Sequence, residues 1–281
     1  MPRTPLARIT VRDALDSAVI ALTAVGCDTP RLDAEILLAA ATHSDRAALI
    51  ADPGRGLEPG EADRFADYAR RRREREPVAY ILGTKGFRDI ELAVDPRVLI
   101  PRPETEHVVE AALELPRGAR VVDVGTGSGA IALALKHERP DLHVVATEAS
   151  RGALEVARTN AARLGLDVEF HEADLLEGVP GRIDAVVGNP PYVAERERAM
   201  LAPEILRYEP AEALFAGPDG LDALRRLAPA VAASGAAFAA VEVGAGQAGE
   251  VGEMLRAAGF DEVGTRKDLA GIERVVVGRR K

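Results

Sequence analysis

An apolar strand, a glycine turn and a helix in immediate succession constrain this chain most. Arg120-Val-Val-Asp-Val124 is a short apolar run with one carboxylate; Gly125-Thr-Gly-Ser-Gly129 follows, and Ala130 to His137 has helical composition. This succession is the unit of a doubly wound parallel sheet, in which glycines let the backbone pass close to a nucleotide or its phosphates. The spacing is G-x-G-x-G and not G-x-G-x-x-G, so the turn alone leaves tight packing open as an alternative.

The pattern downstream repeats the unit. Leu142 to Thr147 predicts a strand ending at Glu148, about 20 residues past the turn, where an acid can hold ribose hydroxyls or simply face water. Ser150 can cap a helix to about Leu164. Val168 to His171 predicts a third strand; Asp174-Leu175 follows, a carboxylate and an apolar side chain able to border an adenine. Ile183 to Val187 predicts a fourth, running into Asn189-Pro-Pro-Tyr192. A polar, helical stretch is expected to about Ala233, then a strand over Ala236 to Val243 and a helix over Gln247 to Ala258. Phe260 to Arg266 and Arg274 to Gly278 predict a closing hairpin. The glycine turn, Glu148, Asp174 and Asn189 all stand just past a strand, and in an open parallel sheet these ends line one crevice. That convergence argues for a cofactor site more strongly than any one motif.

Asn189-Pro-Pro-Tyr192 can be a proline-rich turn closing a strand. It can also grip a planar –NH2 group. Two prolines fix φ and remove two N–H donors while keeping their carbonyls, and each favours an extended residue before it. Asn189 Oδ1 and the Pro190 carbonyl can then accept the two N–H bonds, with Tyr192 against the flat face.

The first 76 residues read as four short amphipathic helices: from Thr10 to about Val25, Pro30 to Ala41, one starting near Ser44, and Pro59 to Arg75. Arg70 to Arg75 is either a solvated helix end or a docking patch for an acidic or RNA-bearing partner. Residues 77–100 read as a linker with a β-hairpin around Phe87, Ile90, Leu92 and Val94, and residues 101–281 as the catalytic domain. Ile100-Pro-Arg-Pro-Glu-Thr-Glu106 opens a helix and is a candidate lid or substrate-side wall that includes Arg102. Residues 1–85 are charge-neutral, so the net charge of −9 falls on the larger domain, which argues against a general grip on nucleic acid. One cysteine, Cys27, excludes an internal disulfide and a thiolate metal cluster and suits a reducing cytosol. The five histidines show no ligand spacing, so no metal is expected, and no apolar run has a membrane-spanning length of about 20 residues.

The motifs together resemble a class I S-adenosylmethionine-dependent methyltransferase acting on an amino or amide nitrogen. More narrowly, the chain resembles the peptide chain release factor glutamine methyltransferases, the HemK/PrmC family. The matching stretches are Glu76-Pro-Val-Ala-Tyr-Ile-Leu-Gly83, Val98 to Glu106, Asp123 to Ala132, Asn189 to Tyr192, Tyr208-Glu-Pro210 and Lys267-Asp-Leu-Ala-Gly271. The resemblance implies an α/β fold: a seven-stranded doubly wound Rossmann-like sheet, with a small N-terminal helical bundle joined to it by the hairpin. It implies N5-methylation of the glutamine in the Gly-Gly-Gln loop of bacterial class 1 release factors in the cytoplasm, with S-adenosyl-L-methionine as cofactor and no membrane or nucleic acid required. By position, Gly125, Thr126, Gly127, Ser128, Gly129 and Glu148 would hold the methionine and ribose parts. Asp174 and Leu175 would border the adenine, and Asn189, Pro190, Pro191, Tyr192 and Arg102 would meet the glutamine. The family often has Asp at position 148 and a bulky aromatic at 175; here they are Glu148 and Leu175. The alternatives are an N-methyltransferase on a ribosomal protein glutamine or on adenine or guanine of nucleic acid, and a cofactor-binding regulator without turnover.

Overall fold

In the computed structural model, which describes residues 9–281, Thr10 opens a helix over Val11–Ala24. Its hydroxyl accepts from the Asp13 amide while the Asp13 carboxylate accepts from the Thr10 amide, a reciprocal cap that satisfies two end donors. Helices Pro30–Thr42, Arg46–Ala51, Pro59–Arg73 and Val78–Leu82 follow. They bury Leu15, Leu22, Leu37, Leu38, Phe65 and Ile81 in one apolar core. The last helix lies in the stretch expected to be linker, and Gly83 ends it at φ +74, so this unit runs to Gly83.

A short helix from far along the chain, Pro203–Tyr208, is also part of this first unit. It resolves the arginine run. Arg70 is exposed and paired with Asp67 and Glu74. Arg72, seven residues past Phe65 and so on the same helix face, is buried. It donates to Asp33 Oδ2 at 2.8 Å and to Glu204 Oε1 at 3.0 Å. Arg75, also buried, donates to the other Glu204 oxygen through Nε at 3.0 Å. These two arginines are neither a solvated face nor an open patch, because burial obliges each guanidinium to be paired.

The second unit begins with an antiparallel hairpin, β1 (Thr84–Phe87) and β2 (Ile90–Ala93). Seven further strands form one sheet: β3 (Arg120–Val124), β4 (His143–Glu148), β5 (Glu169–Glu172), β6 (Ala185–Gly188), β7 (Phe238–Glu242), β8 (Glu262–Lys267) and β9 (Glu273–Arg279). Their order is β5-β4-β3-β6-β7-β9-β8. β3 to β7 are parallel, and β9 runs antiparallel between β7 and β8. Alternate residues of one strand enter opposite cores: Val121 joins the layer of helices Glu106–Ala112 and Ala130–Glu138, whereas Val122 and Val124 join that of Asp222–Ser234 and Ala248–Ala257. Burial on both faces is why these strands read as continuous apolar runs.

The polar stretch after Tyr192 is not one helical segment. It breaks into 3-10 turns at Glu195–Met200 and Ala211–Ala213 before the helix Asp222–Ser234. Gly217 and Gly220, at φ +78 and +81, turn the chain between them. From β3 the chain winds outward to β4 and β5, then returns to β6 on the other side of β3. The β3–β6 boundary is therefore the point of topological switch, where such sheets open a crevice at their carboxyl ends.

Candidate active site

Val124 and Gly188 are register partners at the ends of β3 and β6. The next residues, Gly125 and Asn189, therefore leave the sheet side by side. Both line one cavity, with Thr126, Gly127, Ser128, Glu148, Ser150, Thr105 and Pro191, and with apolar Val98, Leu99, Pro101 and Ile131. Gly125 and Gly127 have φ +68 and +56, and a Cβ built on either meets no atom within 4 Å. Their bare backbone is a cradle that a side chain would fill.

Glu148 closes the other side. Its Oε2 accepts from the Gly127 amide and its Oε1 from the Ser150 amide, each at 2.9 Å. Two backbone donors hold the carboxylate in the turn and leave lone pairs on both oxygens for hydroxyl donors. Below the turn, Asp123 is fully buried. Its Oδ2 accepts from Thr126 Oγ1 at 2.6 Å and from the Ala132 amide at 3.1 Å. Burial pushes its pKa up to about 7, with the nearby Glu148 charge adding to the rise against those two bonds. Fully buried Asn160 bonds both polar groups of Ala93 and the Ser128 carbonyl, tying the end of β2 to the glycine turn. A glycine cradle, an anchored acid and an apolar wall together fit a nucleoside with a charged tail, S-adenosylmethionine included.

Asn189 is held by residues the sequence did not single out. Its Nδ2 donates to Thr105 Oγ1 at 3.1 Å, and Thr105 Oγ1 donates to Glu242 Oε2 at 2.6 Å. The Tyr192 hydroxyl donates to Glu242 Oε1 at 3.0 Å. Burial of Glu242 raises its pKa to about 7, and the hydrogen bonds from Thr105 and Tyr192 work against the rise. Burial and the Glu242 charge push the Tyr192 phenol well above its ordinary value. Gln247 Nε2 donates to the Tyr192 carbonyl at 2.9 Å and fixes the backbone of the same turn. One signal was available in the sequence: Glu242 is a lone acid inside the apolar run Phe238 to Val243, a residue type seldom fully buried without partners.

Other expected site residues have partners of their own. Gly129 is a packing glycine: a Cβ there would lie 2.8 Å from Leu133 Cδ1, and the residue caps the helix Ala130–Glu138 without lining the cavity. Pro190 stands between Asn189 and Pro191, both of which line the cavity, and the Tyr192 hydroxyl is spent on Glu242. Arg102 donates to Glu209 Oε1 at 2.6 Å, and Glu209 Oε2 accepts from the Ile100 amide. It thereby joins the stretch after Val98 to Tyr208-Glu-Pro210 instead of pointing a free guanidinium at a substrate. Asp174 pairs with Arg226 and lines, with Leu175, a separate depression. Leu175, at φ +53, packs partly buried against the core under Asp222–Ser234. Neither lines the cavity, although the preceding Ala173 amide donates to the Glu148 carbonyl at 3.0 Å.

The family model described as PrmC N-terminal domain matches residues 13–83, and that described as methyltransferase small domain matches 105–217. The chain is 44% identical to the release factor glutamine methyltransferase of Koribacter versatilis over 97% of this chain and 99% of that protein. It is 41% identical to the protein so described from Geobacter sulfurreducens, over 96% of each. In fold, it is similar to the hMettl16 catalytic domain solved with a MAT2A 3′UTR hairpin, at a TM-score of 0.54 and 18% identity over 80% of this chain and 83% of that one.

Proposed function

We propose that this chain, which belongs to the release factor glutamine methyltransferase family, methylates the side-chain nitrogen of the glutamine in the Gly-Gly-Gln loop of bacterial release factors, using S-adenosylmethionine. One observation carries the reading: the glycine turn and Asn189 leave adjacent strands at one register position and open on one cavity. Gly125 to Ser128 and Glu148 would hold the cofactor, with backbone against its methionine part and the carboxylate on its ribose hydroxyls. When bound, S-adenosylmethionine supplies a methyl group on a sulfonium, a strong electrophile.

A carboxamide nitrogen is a poor nucleophile because its lone pair is delocalised. Asn189 Oδ1 and the Pro190 carbonyl accept its two hydrogens, which orients the nitrogen and stabilises the positive charge that grows there on attack. Positioning contributes much of the rest, and no side chain needs to remove a proton first. The helical unit is read as the docking surface for the protein substrate, since it carries no catalytic constellation, and the lone Cys27 suits the cytoplasm.

The test is incubation of the full chain with labelled S-adenosylmethionine and, separately, a release factor, a release factor with Gln→Ala in that loop, a ribosomal protein, duplex DNA and rRNA. Label is expected only in the first. Label in nucleic acid or ribosomal protein alone overturns the substrate assignment, and none anywhere overturns turnover.

A further inference from the structure

We propose that the Glu242 carboxylate is a positioning residue for the transfer. Acting through the Thr105 hydroxyl, it fixes the Asn189 carboxamide with its oxygen, not its nitrogen, free for the substrate. The inference rests on the function proposed above and names the residues that make that site work.

An ionised carboxylate can only accept. The single hydroxyl proton of Thr105 is therefore committed to Glu242 Oε2, at 2.6 Å. What remains on Thr105 Oγ1 toward Asn189 is a lone pair, and only the –NH2 end of the carboxamide can satisfy it, as the 3.1 Å contact from Nδ2 does. Asn189 Oδ1 is left as the free acceptor of a residue that lines the cavity. The second oxygen, Oε1, is committed in the same way by the Tyr192 hydroxyl at 3.0 Å. Thr105 is 3% and Glu242 1% exposed, so bulk water does not compete for these bonds.

Protonating Glu242 removes the constraint. A carboxylic acid can donate to Thr105 Oγ1, which then turns its own proton toward Asn189 and favours the flipped amide. A flipped Asn189 would present N–H groups to a substrate –NH2, donor against donor. The charged groups around Glu242 act in opposite directions. Arg274, itself paired with Asp268, favours the carboxylate; Glu104 opposes it; Tyr192 stays a neutral phenol. Burial dominates and puts the protonation equilibrium at about pH 7.

The experiment measures kcat of the full chain on a release factor between pH 6 and 9, with the affinity for S-adenosylhomocysteine measured alongside. The wild-type kcat is expected to rise through about pH 7 as Glu242 ionises. Glu242→Gln should lose that inflection and lose kcat on the order of 10- to 100-fold, the scale for removing an outer partner that orients a site residue. Thr105→Val should lose kcat similarly and Thr105→Ser should restore most of it, with cofactor affinity changing much less than kcat in every folded variant. Asn189→Ala separates the two readings. If it keeps full kcat, the proposed role of Asn189 is wrong. If it loses kcat while Glu242→Gln keeps both the rate and the inflection, or Thr105→Val is fully active, only the present inference is overturned. Should Glu242→Gln not fold, the Thr105 pair decides alone.

Discussion

Gly188 lies against the carbonyl of Val124, its register partner on the neighbouring strand: a Cβ on residue 188 would stand 2.7 Å from that oxygen. Glycine at the end of β6 lets the two strand ends that carry the glycine turn and Asn189 come this close. Gly188→Ala must push the strands apart. It is expected to cost about 1–3 kcal/mol of stability, as overpacking does, and to lower kcat more than a surface substitution of equal cost. Denaturant midpoints and kcat of the variant check this; unchanged values of both contradict it.

Asn189→Ala removes the acceptor proposed for the substrate nitrogen but no hydrogen bond to the glycine turn. Its kcat should fall about 10² to 10³-fold, by analogy with losing one oxyanion-hole donor, while cofactor affinity falls less. Single-turnover rates beside calorimetric titration with S-adenosylhomocysteine separate the two effects.

Glu148→Ala should do the reverse and act first on binding. It removes the acceptor for the Gly127 and Ser150 amides as well as for the ligand. Loss of charged hydrogen bonds, at about 1.5–3 kcal/mol each, predicts a cofactor affinity weaker by at least tenfold. Equal calorimetric affinity in variant and wild type removes Glu148 from the site.

Glu204 is the shared partner of Arg72 and Arg75 within the helical unit. Glu204→Ala leaves two buried guanidinium groups short of their counter-charge. A loss of about 3–5 kcal/mol is expected, the scale for breaking a buried pair from one side. Thermal unfolding reads it, and a Tm unchanged from wild type would show the network to be dispensable.

Asp123 and Glu242 make stability depend on pH in a definite direction. Burial lifts both carboxyls to about 7 from ordinary values of 3.8 and 4.5. The folded protein thus keeps protons that the unfolded chain has released, and the contribution they make is complete in acid and lost as pH rises through about 7. From these two groups Tm should decline between about pH 4 and pH 7, and the double variant Asp123→Asn, Glu242→Gln should decline less. An equal or steeper decline in the double variant contradicts the assignment. Under the Glu242 proposal, the pH that activates the enzyme is also the pH that weakens the fold.

Most of the strand and helix sequence was legible because it is local. The apolar runs at Arg120 to Val124 and Ile183 to Val187 and the cap at Ser150 each act within a few residues. So was the common address of the glycine turn, Glu148 and Asn189, because strands of a parallel sheet expose their carboxyl ends on one side. Asp174 and Leu175 obey the same rule by position and follow Ala173, whose amide donates to the Glu148 carbonyl, but a left-handed turn at Leu175 and the ion pair to Arg226 leave them outside the cavity lining.

What the chain alone determined was therefore the kind of sheet and the motif residues gathered at the carboxyl ends of its strands. Only the tertiary structure decided which residues stand behind them. Thr105 and Glu242, 137 residues apart, meet at one oxygen, and Glu204 returns 132 residues later to pair with Arg72. No periodicity encodes such pairings. They follow from strand register and helix packing, which bring buried polar groups within reach of one another and make leaving any of them unpaired costly.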